Sequence, residues 1–452
     1  MAPMSSRQLP ANTVVTRKVV QVIQPSLSGL LVTADLEDLL PHRDRAGAQK
    51  EHGSLTLLDS LILTSAITVC IVQDEQGEIF SLPLLQDGAK IRRVRAGDGA
   101  TEALLRLHKL STTSNFSLKF WQQQELKGER PIGVDQTEES IIVGELAIAK
   151  WFTHINPSAN SSLPRIEALC AAGFTAMPAP WLALEWKEPS TGTTKLVALV
   201  SDYLSGTRDG WEWAIEDLEK HLQGKSSLAA STDFATEIAA LIAQMHSAFI
   251  NCVLRPAGQE DVKLWIRECS ATLDQALQVT SGEYGQRLQI AAPTIRNWLS
   301  ALTISALPTL TLVHGDLHIG QILRSESGIY SIIDFDGNPM GDKRATLTLE
   351  PLVKDLAGML QSIDHVGRIV DKRTKGLHLQ EIKLWIEGAQ EKFQNSYLLI
   401  MPKPHQNSFS DEDFLLLFQF QQEFREFLYA NSHLPNWMYV PDTALPALVD
   451  RI

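Results

Sequence analysis

The sequence contains few cysteines, and their positions argue against two kinds of protein. Four occur among 452 residues; they are widely separated and form no Cys-x-x-Cys pair. This spacing does not fit a zinc site of the usual kind and gives no sign of a secreted disulfide framework. We therefore expect free thiols in a reducing cytosol. The four residues are Cys70, Cys170, Cys252 and Cys269.

Long hydrophobic runs are also missing. The most apolar stretch, residues 60–72, is too short to cross a bilayer and contains serine and threonine. The N-terminal segment lacks the uninterrupted apolar core that a signal peptide requires. We therefore expect a cytoplasmic protein with no membrane partner.

Positive charge is in deficit and is not clustered. The chain carries 40 lysines and arginines against 53 aspartates and glutamates, which gives a net charge of −13 at pH 7. A nucleic-acid-binding protein should present a basic face, so we expect no nucleic-acid partner. Because the overall field repels anions, a phosphorylated ligand would have to be met by local cations or by a metal. Hydrophobic residues make up 44% of the chain, which is enough for a folded core.

The length predicts two or three folding units of about 150 residues each. Residues 1–90 alternate short apolar runs with turns, including a hairpin over 67–83, and are interpreted as a β-rich N-terminal domain. Residues 91–204 are rich in strands, with a hairpin over 141–151, and residues 205–452 are mostly helical. Asp209, three positions before Glu212, is typical of a helix N-cap, and the last helix is predicted to begin near Glu412. The pattern predicts an α+β fold.

One segment, residues 311–339, gathers acidic residues between two short apolar strands. It reads TLVHGDLHIGQILRSESGIYSIIDFDGNP and contains Asp316, Gln321, Asp334 and Asp336. Carboxylates that lie together repel one another unless a cation neutralises them. Carboxylate and amide oxygens suit Mg²⁺, with water and substrate phosphate completing its coordination. The segment therefore predicts a site for magnesium and a nucleotide.

The order of these residues is that of a protein-kinase catalytic loop. In such loops a base-bearing Asp is followed by an amide metal ligand, and a second metal-binding Asp follows the next strand. Asp316, Gln321 and Asp334 occupy these places. Asp316 is predicted to orient and deprotonate an acceptor hydroxyl, and Gln321 and Asp334 are predicted to hold the metal.

The wider sequence resembles a known family. The HGDLHIGQ loop and the IDFDGNP segment resemble the maltokinase-like branch of the aminoglycoside phosphotransferases, whose members have Gln where most kinase-like proteins have Asn. Other segments resemble the actinobacterial glucosamine kinases of that branch: VDQTEESIIVGE, GFTAMPAPW, DGWEWA, PLVKDLAGMLQSIDHVGR and EFLYANSHLPNWMYVPD. The resemblance implies a bilobal protein-kinase-like fold with a β-rich N-terminal cap, an N-lobe over 91–204 and a C-lobe over 205–452. It also implies an ATP-dependent kinase that transfers the γ-phosphate to the 6-hydroxyl of D-glucosamine.

The ATP-binding parts of a kinase can be sought by their chemistry. Lys150, at the end of the second hairpin, is predicted to reach the α- and β-phosphates, and Glu167 on the following helix is predicted to pair with it. The hairpin has residues 137–140 in place of the glycine-rich pattern, so phosphate contacts would come from hydroxyls such as that of Ser140 and from backbone N–H groups. The predicted adenine-binding hinge contains Val200, Asp202 and Tyr203.

The resemblance also implies a sugar site. It puts the Glu426 carboxylate on the ammonium group of the sugar and the Trp437 indole under its ring, with Asp316 and Asp336 nearby. Considered by itself, an indole in the segment LPNWMYVP fits a buried core position at least as well.

Two further residues are predicted to support the catalytic loop. His314 is expected to be a neutral histidine that braces the loop, and His318 has the same interpretation. Asp355 is expected to be a buried helix residue that accepts N–H bonds from the loop, as kinase-like folds often use such an Asp.

Several alternative functions are compatible with parts of the sequence. A two-metal phosphoesterase also uses Gly-Asp-x-His, but it would need an Asn-His pair, and the chain contains no Asn-His dipeptide. A non-catalytic nucleotide-binding relative of the kinases would be expected to have lost one of the catalytic, metal or phosphate residues named above. Among kinases, maltose, giving maltose 1-phosphate, or an aminoglycoside could be the acceptor. We expect a monomer that uses ATP and Mg²⁺.

Overall fold

The computed structural model describes residues 27–33, 39, 55–88, 90–110, 114–132, 139–155, 162–304, 306–337, 348–403, 405–406 and 411–452. These residues form two units. The first contains the described part of Met1–Gly77 together with Leu82–Val94, and the second contains Glu78–Ser81 and the described part of Arg95–Ile452. The residues predicted to carry chemistry all belong to the second unit.

The first unit is a small antiparallel sheet with a helix, α1 (Leu27–Thr33). The strands are β1 (Thr56–Ile62), β2 (Ile67–Gln73), β3 (Ile79–Asp87) and β4 (Lys90–Arg93), in the order β1-β2-β3-β4. Strand β2 is rich in β-branched residues, which pack well on a pleated surface, and most of it is buried. Gly77, in the turn after β2, has a φ of 89°, which glycine adopts without strain. The predicted pairing of β2 with β3 is confirmed.

A six-stranded antiparallel sheet belongs to the second unit, in the order β5-β9-β10-β8-β7-β6. Its strands are β5 (Phe116–Phe120), β6 (Glu129–Pro131), β7 (Glu139–Val143), β8 (Ala147–Trp151), β9 (Pro180–Lys187) and β10 (Thr194–Asp202). The predicted second hairpin is formed by β7 and β8, with Ser140 opposite Lys150. In β8, buried residues alternate with Ile148 and Lys150, so Lys150 lies on the opposite face from Trp151.

The start of a short helix, α2 (Ala100–Leu105), is bound to this sheet by the carboxylate of Glu129. Glu129 of β6 accepts backbone N–H bonds from Gly97 (3.0 Å), Gly99 (2.8 Å), Thr101 (2.7 Å) and Glu102 (3.1 Å). Both glycines have positive φ, 98° and 91°, a conformation that turns neighbouring N–H groups toward one acceptor. The carboxylate therefore satisfies donors at a helix start that have no partner within the helix.

The rest of the second unit is mostly helical. Its helices are α3 (Ser162–Ala171), α4 (Gly210–Leu222), α5 (Leu228–Ser231), α6 (Phe234–Cys252), α7 (Gln259–Val279), α8 (Gly282–Ala301), α9 (Val353–Thr374), α10 (Leu379–Ile400), α11 (Glu412–His433) and α12 (Tyr439–Val449). The predicted N-cap is confirmed, because Oδ1 of Asp209 accepts from the N–H of Glu212 at 3.1 Å. Helix α11 begins at Glu412 as predicted, but it is not the last helix. The prediction missed α12, in which Pro441 and Pro446 weaken the helical signal.

The long helices enclose a continuous hydrophobic core. Helix α10 packs on α6, and α11 packs on both α7 and α9. The largest fully buried side chains in these helices are aromatic: Phe249, Trp385, Phe393, Tyr397, Phe414, Phe420, Phe424 and Phe427. Burying such a ring contributes about 2 kcal/mol or more, so these helices are a rigid support for whatever they carry.

Two small sheets hold the segment that carries the predicted chemistry. Strand β13 (Thr309–Thr311) pairs with β12 (Arg255–Pro256) and β16 (Glu350–Pro351), and β14 (Ile322–Ser325) pairs with β11 (Thr207–Arg208) and β15 (Tyr330–Ile332). The catalytic loop and a 3₁₀ turn, Ile319–Gln321, lie between β13 and β14.

Two helices press directly on this loop. A Cβ added to Gly210 of α4 would stand 1.8 Å from the carbonyl oxygen of Ile319, and one added to Gly358 of α9 would stand 2.5 Å from that of Leu317. No other residue allows so close an approach, so both contacts require glycine. The backbone of the loop is therefore fixed from two sides.

The state of the cysteines and the hydrophobicity of the helices are two further properties of the described residues. All four cysteines are free thiols, as predicted. Burial raises the pKa of the Cys70 thiol to about 12 and that of Cys269 further still, so both are poor nucleophiles. Over the ranges of the chain given above, no helix is both long enough and apolar enough to span a membrane.

The Glu129 attachment can be tested by hydrogen exchange. In Glu129→Gln the acceptor loses its charge and one of its two oxygens, so the four N–H bonds weaken. We expect the amides of Gly97, Gly99, Thr101 and Glu102 to exchange about tenfold faster. Glu125→Gln, at an exposed position four residues earlier, is the control and should leave these rates unchanged. Equal exchange rates in both variants would contradict the attachment.

Candidate active site

The start of the catalytic loop is held by one buried carboxylate. Asp355 of α9 accepts the backbone N–H of His314 at 2.6 Å and that of Gly315 at 2.8 Å. His246 of α6 donates from Nε2 to the same carboxylate at 3.1 Å, and its Nδ1 lies 2.7 Å from the hydroxyl of Tyr397. Although burial opposes ionisation, these donors keep the pKa of Asp355 below its ordinary value.

His314 connects the loop to the strand that precedes the second pair of acids. Its Nε2 donates to the carbonyl oxygen of Ile333 at 2.9 Å, and its Nδ1 accepts from the N–H of Asp316 at 3.4 Å. Burial lowers the pKa of His314, so the ring is neutral, with its hydrogen on Nε2. The side chain of Asp316 is itself in a buried environment, which raises its pKa to about 6.

Lys150 joins the six-stranded sheet to the acids that follow β15. Its Nζ donates to Oδ1 of Asp334 at 2.9 Å and also contacts the carboxylate of Asp336. Asp336 in turn accepts from the hydroxyl of Ser162, at the start of α3. Burial opposes the ionisation of all three groups. Even so, the Lys150 charge lowers the pKa of Asp334, and the two carboxylates raise that of Lys150. For Asp336, burial and the charge of Asp334 outweigh the effect of Lys150, so its pKa is raised.

Asp334 has an unusual backbone conformation. Its φ of 64° lies in the left-handed region, which costs free energy for a residue other than glycine. Arg165 of α3 holds the backbone on either side of the site, donating from Nη1 to the carbonyl oxygen of Phe335 at 3.2 Å and from Nε to that of Val313. The strained residue is therefore kept in place by a buried guanidinium that binds both segments.

Gln321 and Asp334 supply oxygens of the kind that Mg²⁺ prefers. Nδ1 of His318 accepts from the N–H of Gly320 at 3.1 Å, and burial lowers the pKa of His318, so its neutral ring carries hydrogen on Nε2. That Nε2 lies 3.3 Å from the amide group of Gln321. The amide atom at this distance is Nε2 of Gln321, so the contact places the carboxamide beside His318 with its oxygen directed away from this contact, where it can face a cation. The donor set therefore fits magnesium.

The charge of this region also fits a divalent cation. Asp334 and Asp336 share one lysine, and the charge of Asp334 contributes to the raised pKa of Asp316. Carboxylates thus outnumber the ammonium group that contacts them, a balance that an additional cation would correct.

The predicted ion pair of Lys150 with Glu167 is wrong. Glu167 pairs instead with Lys119 of β5, while Lys150 points to Asp334 and Asp336. The physical reason is the sheet order: β5 lies at the edge of the sheet beside β9, and its Lys119 reaches α3 there, so a second lysine competes successfully for Glu167.

The predicted hinge lies at the end of β10. Val200 is fully buried in the sheet. Asp202 accepts from the indole N–H of Trp181 at 2.7 Å and from the N–H of Ala179 at 3.3 Å, so its carboxylate fixes the start of β9. The ring of Tyr203 lies under the guanidinium of Arg130, 5.4 Å from its centroid. Ser140 stands opposite Lys150, and residues 137 and 138 of the predicted phosphate loop lie outside the described residues.

The residues predicted for the sugar fall into two groups. Trp437, in the 3₁₀ turn Pro435–Trp437, meets the edge of Trp211 at 5.8 Å between centroids, and Trp211 stacks on His318 of the loop at 5.9 Å. Glu426 of α11 accepts from Nε2 of Gln422 at 2.9 Å, and its charge acts on Asp316. Trp437 and Glu426 thus lie toward the catalytic loop, whereas Asp336 is bound on the side of Lys150 and Ser162.

Several contributing residues had no signal in the sequence. Ser162 and Arg165 look like ordinary polar positions of a helix, and only the fold shows that they face the acids after β15. Trp211 lies within the quoted segment DGWEWA, but its stacking on the loop could not be read from that segment. No sequence pattern marks Gly210 and Gly358, because their role, which is to leave space for the loop backbone, depends on how α4 and α9 pack on the loop.

The chain is similar to known phosphotransferases in sequence. The phosphotransferase enzyme family matches residues 194–373. A glucosamine kinase of Streptacidiphilus jiangxiensis is 37% identical over 94% of this chain and 98% of its own length. A glucosamine kinase of Mycolicibacterium smegmatis is 36% identical over 80% of this chain and 90% of its own length.

Solved structures agree with the sequence relatives. A glucosamine kinase in complex with glucosamine, ADP and inorganic phosphate is 35% identical, with a TM-score of 0.76 over 94% of this chain and 100% of that one. Crystal form B of glucosamine kinase gives a TM-score of 0.81 with the same coverage. These relationships confirm the predicted α+β fold of the protein-kinase-like class. The chain is a phosphotransferase, and it belongs to the glucosamine kinase group of the phosphotransferase enzyme family.

Proposed function

We propose that the protein transfers the γ-phosphate of ATP to the 6-hydroxyl of D-glucosamine. The observation that carries this proposal is the arrangement of Lys150, Asp316 and Asp334. Lys150 is near the end of β8, Asp316 is on the rigid loop, and Asp334 follows β15, where it contacts Lys150. The related glucosamine kinase bound to glucosamine and ADP supports both substrates. The 6-hydroxyl is the primary alcohol of the sugar and the least hindered acceptor.

In the proposed reaction, Asp316 accepts the hydroxyl proton while the sugar oxygen attacks the γ-phosphorus. The new O–P bond forms as the bond to the β,γ-bridging oxygen breaks, and ADP leaves with that electron pair. Asp355 and His314 hold the loop backbone, which keeps Asp316 at a constant position relative to the hydroxyl.

Positive charge for the phosphates would come from two sources. Gln321 and Asp334 would hold Mg²⁺, which when bound neutralises charge on the phosphate oxygens. Lys150 would face the α- and β-phosphates. Its ammonium already contacts Asp334 and Asp336, so phosphate oxygens would replace part of that contact.

The remaining ATP contacts are proposed from position alone. The end of β10, with Val200, Asp202 and Tyr203, would contact adenine, and the hydroxyl of Ser140 would contact phosphate beside Lys150. We do not assign Glu167 to ATP, because its partner is Lys119.

On the acceptor side, Glu426 would bind the ammonium group of glucosamine and Trp437 would cover a ring face. The ring contacts from Trp437 through Trp211 to His318 support this role, because they connect Trp437 to the loop that carries Asp316. Asp336, placed with Lys150 and Ser162, would act on the sugar only from the phosphate side.

We also propose a cytoplasmic monomer in which residues 1–90 form a cap, 91–204 an N-lobe and 205–452 a C-lobe. The four free thiols support a reducing compartment.

The substrate proposal is tested by ADP release with a panel of acceptors. Glucosamine, glucose, N-acetylglucosamine, maltose and an aminoglycoside are compared, and the product is examined by phosphorus NMR. We expect glucosamine to have the highest kcat/KM, because it is the only monosaccharide of the panel that carries both the ammonium group for Glu426 and a primary alcohol. The phosphorus of the product should couple to the protons on carbon 6. Turnover of maltose without turnover of glucosamine would overturn the proposal.

The role of Asp316 is tested by Asp316→Asn. Without the proton acceptor, kcat should fall by about a hundredfold or more, while the Kd for ATP changes by no more than about twofold. In the wild type, the carboxylate must be ionised and its pKa is raised to about 6, so activity should fall as the pH drops below that value.

Asp274→Asn, an acid on the surface of α7, is the matched control and should keep the wild-type kcat. An Asp316→Asn variant with substantial turnover, or one that no longer binds ATP, would contradict the assignment of Asp316 as the base.

A further inference from the structure

A buried polar network lies one helical turn from Glu426, and the proposed reaction does not use it. His365 of α9 donates from Nε2 to Oε1 of Glu423 of α11 at 2.7 Å. Gln361, one turn before His365, donates to the same oxygen at 2.5 Å. His365 and Glu423 are 2% and 0% exposed, so water does not solvate either charge. These two residues are called the His365–Glu423 pair below.

The network continues away from the site as a chain of amides. Gln361 accepts from Nε2 of Gln419 at 2.7 Å, and Gln419 accepts from Nη1 of Arg451 at 2.8 Å. This side therefore anchors Glu423 through two neutral amides, those of Gln361 and Gln419, and the chain ends at the guanidinium of Arg451. Within the described residues, the second oxygen of Glu423, Oε2, has no hydrogen-bond partner although it is buried.

A structural role alone accounts poorly for such a pair. A buried ion pair loses the hydration of both charges, and well-packed apolar residues in its place are often at least as stabilising. A buried carboxylate oxygen without a partner adds a further cost. The surrounding core of α9 and α11 is rich in apolar side chains, so such residues would fit here. An effect of the pair on a neighbouring residue would account for this cost in stability.

The neighbour that matters is Glu426. It lies three residues after Glu423 on α11, so both carboxylates are on the same side of the helix, which packs on α9 and His365. The charged groups that act on His365 are Glu423, Glu426 and Asp364, and Asp364 is already bound by Arg368 at 2.8 Å. Glu426 is acted on by His365 and Glu423. Arg368, which is paired with Asp364, also acts on Glu423, and Glu426 also acts on Asp316. The carboxylates of this region, Glu423, Glu426 and Asp316, therefore outnumber the imidazolium of His365, a deficit that an ammonium group would fill.

We propose that the His365–Glu423 pair, one helical turn from Glu426, sets the charge of Glu426, and that it thereby makes the site prefer a sugar bearing an ammonium group to a neutral sugar. The inference rests on the proposed function, in which Glu426 binds that ammonium group. His365 and Glu423 act through Glu426 and are positioning residues.

The charge states support this assignment. Burial acts against a charged imidazole, but Glu423 outweighs it and raises the pKa of His365 to about 9. Burial raises the pKa of Glu426, and the charge of Glu423 raises it further, while His365 opposes both effects. If His365 lost its charge, two carboxylates one turn apart would repel each other and Glu426 would take up a proton more readily. A neutral Glu426 no longer attracts an ammonium group.

The test compares three variants with glucosamine and glucose as acceptors. In His365→Gln the compensating charge is lost, so we expect the KM for glucosamine to rise about tenfold or more, with kcat within about twofold. The KM for glucose should change by no more than about twofold. In the double variant His365→Gln/Glu423→Gln both charges of the pair are removed and Glu426 keeps its own. The double variant should therefore have a KM for glucosamine nearer the wild type than the single variant has.

A purely structural role predicts the opposite order, because the second substitution would add to the damage of the first. A double variant as impaired as His365→Gln, or an equal loss for both sugars, would overturn the inference. Arg296→Gln, which breaks an exposed ion pair with Asp274 between α8 and α7, is the control and should keep wild-type constants. Thermal unfolding of each variant establishes that the protein is folded under the assay conditions.

A spectroscopic readout tests the charge directly. At about pH 8, between the ordinary pKa of histidine and that of His365, NMR of labelled histidine should show His365 as an imidazolium in the wild type and as a neutral ring in Glu423→Gln. A neutral His365 in the wild type would overturn the inference.

Glu426→Gln separates this inference from the proposed function. We expect a larger loss for glucosamine than for glucose in that variant. Equal losses of activity with the two sugars would show that Glu426 does not recognise the amine, and this part of the proposed function would be contradicted. A selective loss in Glu426→Gln together with an unselective loss in His365→Gln would contradict only the His365–Glu423 pair.

Discussion

Carboxylates buried close to one another are the constraint around which the helical part of this protein is arranged. Each must be compensated, since an isolated charge in a protein interior is costly. Lys150 compensates Asp334 and Asp336, two loop N–H groups and His246 compensate Asp355, and His365 compensates Glu423. In each case the compensating group comes from a different element. Charge compensation therefore also fixes how sheet, loop and helices meet.

This constraint links stability to chemistry. Asp355 is fully satisfied by donors and holds the loop, whereas Asp316 keeps a raised pKa and is ready to exchange a proton. Asp334 is held in a left-handed conformation, which costs free energy. The contacts of Lys150 with Asp334 and of Arg165 with its neighbour offset that cost. The arrangement is typical of a site that is prepared in advance for a charged ligand.

The sequence predicted those parts of the molecule that depend on local patterns. The β2–β3 and β7–β8 hairpins, the Asp209 cap and the start of α11 follow from alternation, turn residues and cap spacing, which act over a few residues. The order Asp316, Gln321, Asp334 indicated the kinase-like loop because chemistry fixes both the residue types and their separation. The fold class and the family followed from the same segment and from its resemblance to known kinases.

What the sequence could not predict depends on contacts between distant elements. The pairing of Lys150 with Asp334 and Asp336, and of Glu167 with Lys119, is decided by strand order in the six-stranded sheet. The sequence pattern did not indicate helix α12 because of its prolines, which the packing of the helix tolerates.

The central claim is that Asp316, Gln321 and Asp334 converge on a metal-bound triphosphate. A crystal structure with Mg²⁺, a non-hydrolysable ATP analogue and glucosamine tests it most directly. The account predicts Mg²⁺ bound by Gln321 and Asp334, with Asp316 at the 6-hydroxyl. A triphosphate bound elsewhere, or these three side chains turned away from it, would contradict the account.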